Sequence, residues 1–165
     1  MMTTTTTATT PDYSTHDPGY RDRTAVDVSL LVVRLIVGVV FAYHGAQKLF
    51  GAFGGPGLSK TVDMLGLGPL GYLVIIGEFF GGLGLIFGFL SRFSAASLIV
   101  IMIGAIALHH GKNGFSLEHG GFEYNLALIG LLVPVLLCGP GRYAVGQYLP
   151  LPKVRGSRRP VAVLE

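Results

Sequence analysis

The chain has 165 residues, of which half are apolar and only 13% charged, with a mean hydropathy of +0.60. Soluble domains carry about a quarter charged residues, so a water-soluble fold of this size could not hide so much apolar surface, and lipid is its natural surrounding. The net charge of +3 and pI near 9.2 do not mark a nucleic-acid-binding face. Arg142, Lys153, Arg155, Arg158 and Arg159 gather near or after the last apolar run, as a juxtamembrane cluster facing anionic lipid does. Cys138 is the single cysteine. It rules out an intramolecular disulfide, a cysteine-held iron–sulfur cluster and CxxC redox chemistry, which need several thiols. Any redox role must borrow its electron carrier.

Residues 1–27 are polar and Thr-rich, with Pro11, Pro18 and Gly19. This reads as a disordered tail, with none of the features of a cleavable signal peptide. An apolar run over 28–50 follows and serves as signal and anchor. The Gly-rich link after it places Leu58, Val62 and Leu65 at helical spacing beside Ser59, Lys60 and Asp63, which predicts a short interfacial helix.

A second apolar run covers 69–90, and a third, over 93–110, begins after a very tight turn. A polar link, 111–122, leads to a fourth run over 123–137, closed by Cys138-Gly139-Pro140-Gly141-Arg142. These runs are continuous rather than alternating and lie near the ~20 residues of a membrane-crossing helix, the last two on the short side. The prediction is an all-α, antiparallel four-helix transmembrane bundle over 28–149, with a basic C-terminal tail over 150–165. Four crossings put both termini on one side. With them lie Arg21, Arg23, Arg92, Arg142, Lys153, Arg155, Arg158 and Arg159, eight basic residues against three opposite (Lys48, Lys60, Lys112). The positive-inside rule then places both termini in the cytoplasm.

Gly77, Gly81, Gly84 and Gly88 share one narrow face of the second run and let a neighbouring helix approach closely, within the chain or in a homodimer. Pro134 removes a donor from the fourth run. Cys138 reads as a small packing residue.

Ionisable groups cost roughly 2.5–3.5 kcal/mol each inside a membrane, so each demands a reason. Arg34, His44 and Lys48 lie within about 80° of one another around the first helix, forming an inward stripe. Glu78 lies well inside the second. The antiparallel order then brings His44, Lys48, Glu78, His110, Glu123 and Asn125 into the outer half of the bundle. The set is either a polar network that fixes helix register or a pocket for a polar or redox-active ligand. Lys48 near the interface is also placed to snorkel, and Glu123 to favour a helix N-terminus. Adjacent His109 and His110, with Glu118 and His119, chelate poorly, and a haem held between His44 and a histidine of the third run is disfavoured because His110 sits at the membrane edge, so neither a metal nor a haem is read here.

Several stretches resemble the DoxX family of bacterial membrane proteins. Arg34-Leu35, Gly38, Phe41, His44-Gly45 and Lys48-Leu49-Phe50-Gly51 are similar to its first-helix signature, and Gly77-Glu78-Phe79-Phe80-Gly81-Gly82 with Gly88 and Ser91-Arg92 to its second. His110, Asn113-Gly114-Phe115 and Gly121-Phe122-Glu123-Tyr124 resemble its third loop, and Gly139-Pro140-Gly141-Arg142 its ending. The resemblance covers 29–149. After the ending, family members often carry an Asp where this chain reads Ala144-Val145-Gly146-Gln147.

The resemblance implies a multi-pass protein of the bacterial cytoplasmic membrane, some relatives being subunits of thiosulfate:quinone oxidoreductase and others linked to oxidative stress. Two readings follow. In one the chain is a subunit of a quinone-linked oxidoreductase: Glu78 and His44 exchange protons as catalytic groups, and Arg34, Lys48, His110, Glu123 and Asn125 hold a bound quinone. In the other it is a non-catalytic anchor or scaffold whose tails and glycine face bind partner proteins.

Overall fold

The computed structural model describes residues 18–148, with side chains over 23–146. The tails on which the scaffold reading rests, and the basic residues beyond 148, lie outside the described residues. Among these residues the chain is all-helical. Helix α1 spans Pro18–Phe50, the short α2 Leu58–Leu65, α3 Leu70–Phe87, α4 Ser91–Ala105 and α5 Glu123–Cys138. Helix α1 begins ten residues before the apolar run, so residues 18–27, read as tail, are helical. Proline suits a first helical turn, where its missing N–H leaves no hydrogen bond unmade.

Three segments are long and apolar enough to cross a membrane: Arg23–Phe50, Leu70–Phe87 and Ser91–Asn113, with mean hydropathies of 2.4, 1.9 and 1.9. Helix α5 is apolar but has only 16 residues. At 1.5 Å per residue it measures about 24 Å, short of the ~30 Å hydrocarbon core. The four long helices form a ring in which α1 meets α3 and α5, and α4 meets α3 and α5. Their shared core includes Val37, Phe41, Leu85, Leu98, Met102 and Leu132.

Burial runs opposite to that of a water-soluble protein. Arg34 and Glu78 are 0% and 3% exposed, whereas Val100 and Leu137 are 68% and 69% exposed. A chain in lipid gains little by hiding leucine and much by hiding charge. Cys138, at the end of α5, is exposed rather than packed.

Glycines set the helix spacing. A Cβ at Gly45 would stand 2.6 Å from the Phe79 backbone, and one at Gly82 would stand 2.5 Å from the Ala42 nitrogen. Helices α1 and α3 are therefore in backbone contact. The predicted face of Gly77, Gly81 and Gly84 meets Ile101, Leu98 and Ser94 of α4, inside the same chain. Gly88 ends α3 in the left-handed region (φ 69°), and the Phe89 N–H donates to the Gly84 carbonyl at 2.9 Å. This Schellman closure makes the tight turn into α4.

The end of the bundle where this turn lies is tied together by arginines. Arg34 donates through Nη1 to the Leu85 carbonyl (3.3 Å) and through Nη2 to the Tyr143 carbonyl (2.6 Å). Arg92 donates to the Leu137 carbonyl at 3.2 Å, and the Arg142 N–H to Asp27 Oδ1 at 3.0 Å. Helix C-termini leave carbonyls without intrahelical partners, and the guanidinium groups of Arg34 and Arg92 supply donors to two of them. The segment after α5 is thereby folded back against α1 and α3.

The amphipathic link is α2. Ser59, Lys60, Asp63 and Met64 are exposed, Thr61 is buried, and Val62 packs against Gly71.

Two measurements follow. Gly45→Ala should lower the unfolding temperature in detergent, with a cost of about 1–3 kcal/mol from forced separation. Gly130→Ala, where an added Cβ meets nothing within 4 Å, should be neutral or slightly stabilising. Arg34→Met should destabilise by roughly 1–3 kcal/mol through unsatisfied carbonyls. It should also speed limited proteolysis within 139–148, and an unchanged cleavage rate would refute the tether.

Candidate functional site

At the opposite end of the bundle, Lys48 Nζ donates to Glu78 Oε1 at 2.7 Å and Oε2 at 2.5 Å. The carboxylate side chain is 5% exposed and the lysine 30%. Helical side chains lean toward their own N-terminus, so Lys48, near the end of α1, reaches back into the bundle and does not snorkel outward. Glu78 is held opposite it because Phe79, the next residue, is pressed against Gly45. Isolated, either charge would be costly here; paired, each supplies the other's counterion.

A cavity of about 200 Å³ opens beside the pair. His44, Lys48, Glu78, His110 and Asn125 line it, drawn from α1, α3, α5 and the end of α4. His110 Nδ1 lies 2.8 Å from the Gly120 carbonyl. A carbonyl only accepts, so Nδ1 carries the proton, and in the neutral ring Nε2 keeps its lone pair. Asn113 Nδ2 donates to the same carbonyl at 3.2 Å, fixing the α4–α5 loop over the cavity. Buried Asn125 directs Nδ2 at Met102 Sδ, 3.5 Å away.

His110 owes its position to a π turn over Ile106–His110, which extends α4. Single π turns inside helices recur at functional sites.

A second recess of about 450 Å³ lies between α3 and α4 and touches the same pair. Its walls, like those of the first cavity, are mainly apolar and include Leu65, Leu73, Val100 and Leu108, and the two share Lys48, Glu78, Ala105 and His110. His109 also lines it, with Nε2 buried and without a hydrogen-bond partner. A groove of similar size, about 440 Å³, lies between the other halves of α3 and α4. It is lined without any ionisable side chain and offers no chemistry.

Five of the seven residues singled out from the sequence thus share one cavity. His44 lines it, but its Nδ1 faces Gln47 Oε1 at 3.1 Å, and Glu78 takes Lys48 as its partner instead. Arg34 is not in the site. Fourteen residues before Lys48, it lies about 21 Å away along the helix axis and ties down the other end. Glu123 sits half-buried in the first turn of α5, where a carboxylate suits the helix dipole, and does not line the cavity. Met102 and Tyr124 line the cavity without having been singled out. Met102 is one more apolar residue in its run, whereas Tyr124 is marked by its place beside Asn125. Among the described residues no group of three His, Cys, Asp or Glu side chains lies close enough to hold a metal ion.

Comparison with known proteins adds the family. The DoxX family model matches residues 29–111, half of the chain. The chain is 30% identical over 124 residues to Inner membrane protein YqjF of Escherichia coli (strain K12), covering 74% of this chain and 93% of that protein. It is 28% identical over 135 residues to the uncharacterized membrane protein Rv3486 of Mycobacterium tuberculosis, covering 73% and 81%. No solved structure matches. The matched region contains most of α1, and α3 and α4, with Lys48, Glu78 and His110, and the relatives are themselves named as membrane proteins. The chain belongs to the DoxX family and is a multi-pass bacterial membrane protein.

Proposed function

We propose that this chain is a membrane-embedded subunit of a quinone-linked oxidoreductase or oxidative-stress system, with the quinone head held at the Lys48–Glu78 pair. The observation that supports this most is the position of that pair, which lines both a small cavity with His44, His110 and Asn125 and a larger recess walled mainly by residues such as Leu65, Leu73, Val100 and Leu108. A quinone likewise has two parts to place, its two oxygens and its apolar ring and tail.

Reduction of a quinone to its quinol takes up two electrons and two protons. The electrons come from a donor such as thiosulfate through partner subunits. This chain manages the protons and the charge. The Lys48 ammonium stabilises the developing anion at one ring oxygen, and Glu78 relays a proton once its charge is shared. His110 accepts and returns a proton at Nε2. His44, exposed at the rim, exchanges protons with water outside. In this arrangement α5 crosses beside its three longer neighbours, and both termini face the cytoplasm, as the eight-to-three bias of basic residues favours.

Two experiments test this. A reporter active only in the periplasm should be silent when fused to the C-terminus and active when inserted in 111–122; the reverse pattern would overturn the orientation. Glu78→Gln should cut thiosulfate-dependent quinone reduction in membranes at least about tenfold, or 1.4 kcal/mol in barrier. Removing one partner of a buried pair costs about 3–5 kcal/mol of stability, whereas removing both costs far less. The double variant Lys48→Met/Glu78→Leu should therefore regain stability while staying inactive. If it regained the wild-type rate, the pair would be only a register device.

A further inference from the structure

The first cavity is small for a whole ligand. Pockets that take drug-sized molecules run to about 300–1,000 Å³, against about 200 Å³ here. A single ring fits, and the remainder of the molecule needs other space. The groove between α3 and α4 supplies it, bordering the cavity at Lys48, Glu78, Ala105 and His110, which line both. Leu73 and Val100 on its opposite walls are 66% and 68% exposed, so its mouth opens sideways between helices that face lipid. Leu65 of α2 and Leu67 beyond it bound the groove at the membrane-surface end.

Gly104 of α4 lines the groove, and a Cβ added there would meet nothing within 4 Å. Elsewhere in this chain several helix glycines permit close backbone contact; this one leaves room. A bulky side chain at 104 would project into open groove space without pushing a neighbouring helix aside.

From this geometry we infer that the α3–α4 groove is the tail subsite of the same site, and that its ligand is an isoprenoid-tailed amphiphile entering sideways from the bilayer. The inference rests on the quinone reading and adds to it the position of the tail and the route of entry. A water-soluble ligand would instead arrive past the 111–122 loop and leave the groove to lipid. The apolar tail gains by filling the groove, and the head gains the only described ion pair within reach of it.

Native mass spectrometry of the full chain released from detergent, titrated with a long-tailed menaquinone and with tail-free menadione, tests this. Wild type should bind the long-tailed form at least about tenfold more tightly, which is 1.4 kcal/mol. Gly104→Phe should bring the ratio of the two affinities close to one. Leu73→Trp, at an exposed position on the facing wall, should narrow the same groove and lower the ratio in a background where folding is not in question. Gly104→Ala should keep the preference. If Gly104→Phe and Leu73→Trp both retain the wild-type ratio, the tail lies elsewhere and the inference fails. Equal affinities in wild type would overturn the tail subsite while leaving the quinone reading standing, and binding of neither quinone would overturn both.

Discussion

The backbone contact between α1 and α3 governs the rest of the molecule. Lys48 meets Glu78 because Gly45 lets α1 rest on the Phe79 backbone one residue away. Gly38 and Gly82 repeat the contact lower down. Any side chain at Gly45 would move one helix away from the other by a distance comparable to the tolerance of a hydrogen bond. The ion pair would then become two separated charges in an apolar bundle, the costliest arrangement lipid offers. Spacing comes first here, and the electrostatics depend on it.

The two ends of the bundle meet the same constraint by different means. At the end that carries Arg34, the guanidinium groups of Arg34 and Arg92 donate to carbonyls of α3, α5 and the segment after α5. There the donors are spent on backbone carbonyls, with Arg34 Nε buried and unpartnered. At the other end, a pair with its charges satisfied still borders open volume, and His110 keeps a ring nitrogen uncommitted to the loop it anchors. Charged side chains thus tie chain segments together at one end and border a cavity at the other.

Much of this was legible in the sequence, because lipid simplifies the code. Continuous apolar runs gave the long helices, the short gap at Ser91-Arg92 marked the tight turn, and the order of crossings brought His44, Lys48, Glu78, His110 and Asn125 to one end. Gly88, read as part of the helix face, instead caps α3. Two things were not legible. Angular position alone groups Arg34 with Lys48, although fourteen residues of helical rise already set them about 21 Å apart; what the sequence did not show is that Arg34 ties down carbonyls at the other end. The partner of Glu78 depended on backbone spacing that glycine pattern alone leaves open, because Gly82 and not the Gly77–Gly81 face makes the contact with α1. Helix α1 also runs ten residues beyond its apolar stretch, since hydropathy reports what lipid covers and not where hydrogen bonding stops.

The π turn at Ile106–His110 has a further consequence for how this site can change over generations. A π turn holds one residue more than the α-helical turn it replaces, and neighbouring helical positions differ by about 100° in direction. Loss of a single codon in this stretch would return α4 to regular winding and rotate His110 off the cavity, while α1, α3 and their ion pair stayed as they are. The placement of His110 and the contact between Lys48 and Glu78 are therefore separable by inheritance. A lineage can redirect one histidine through a one-residue deletion without first destabilising the membrane bundle that presents it.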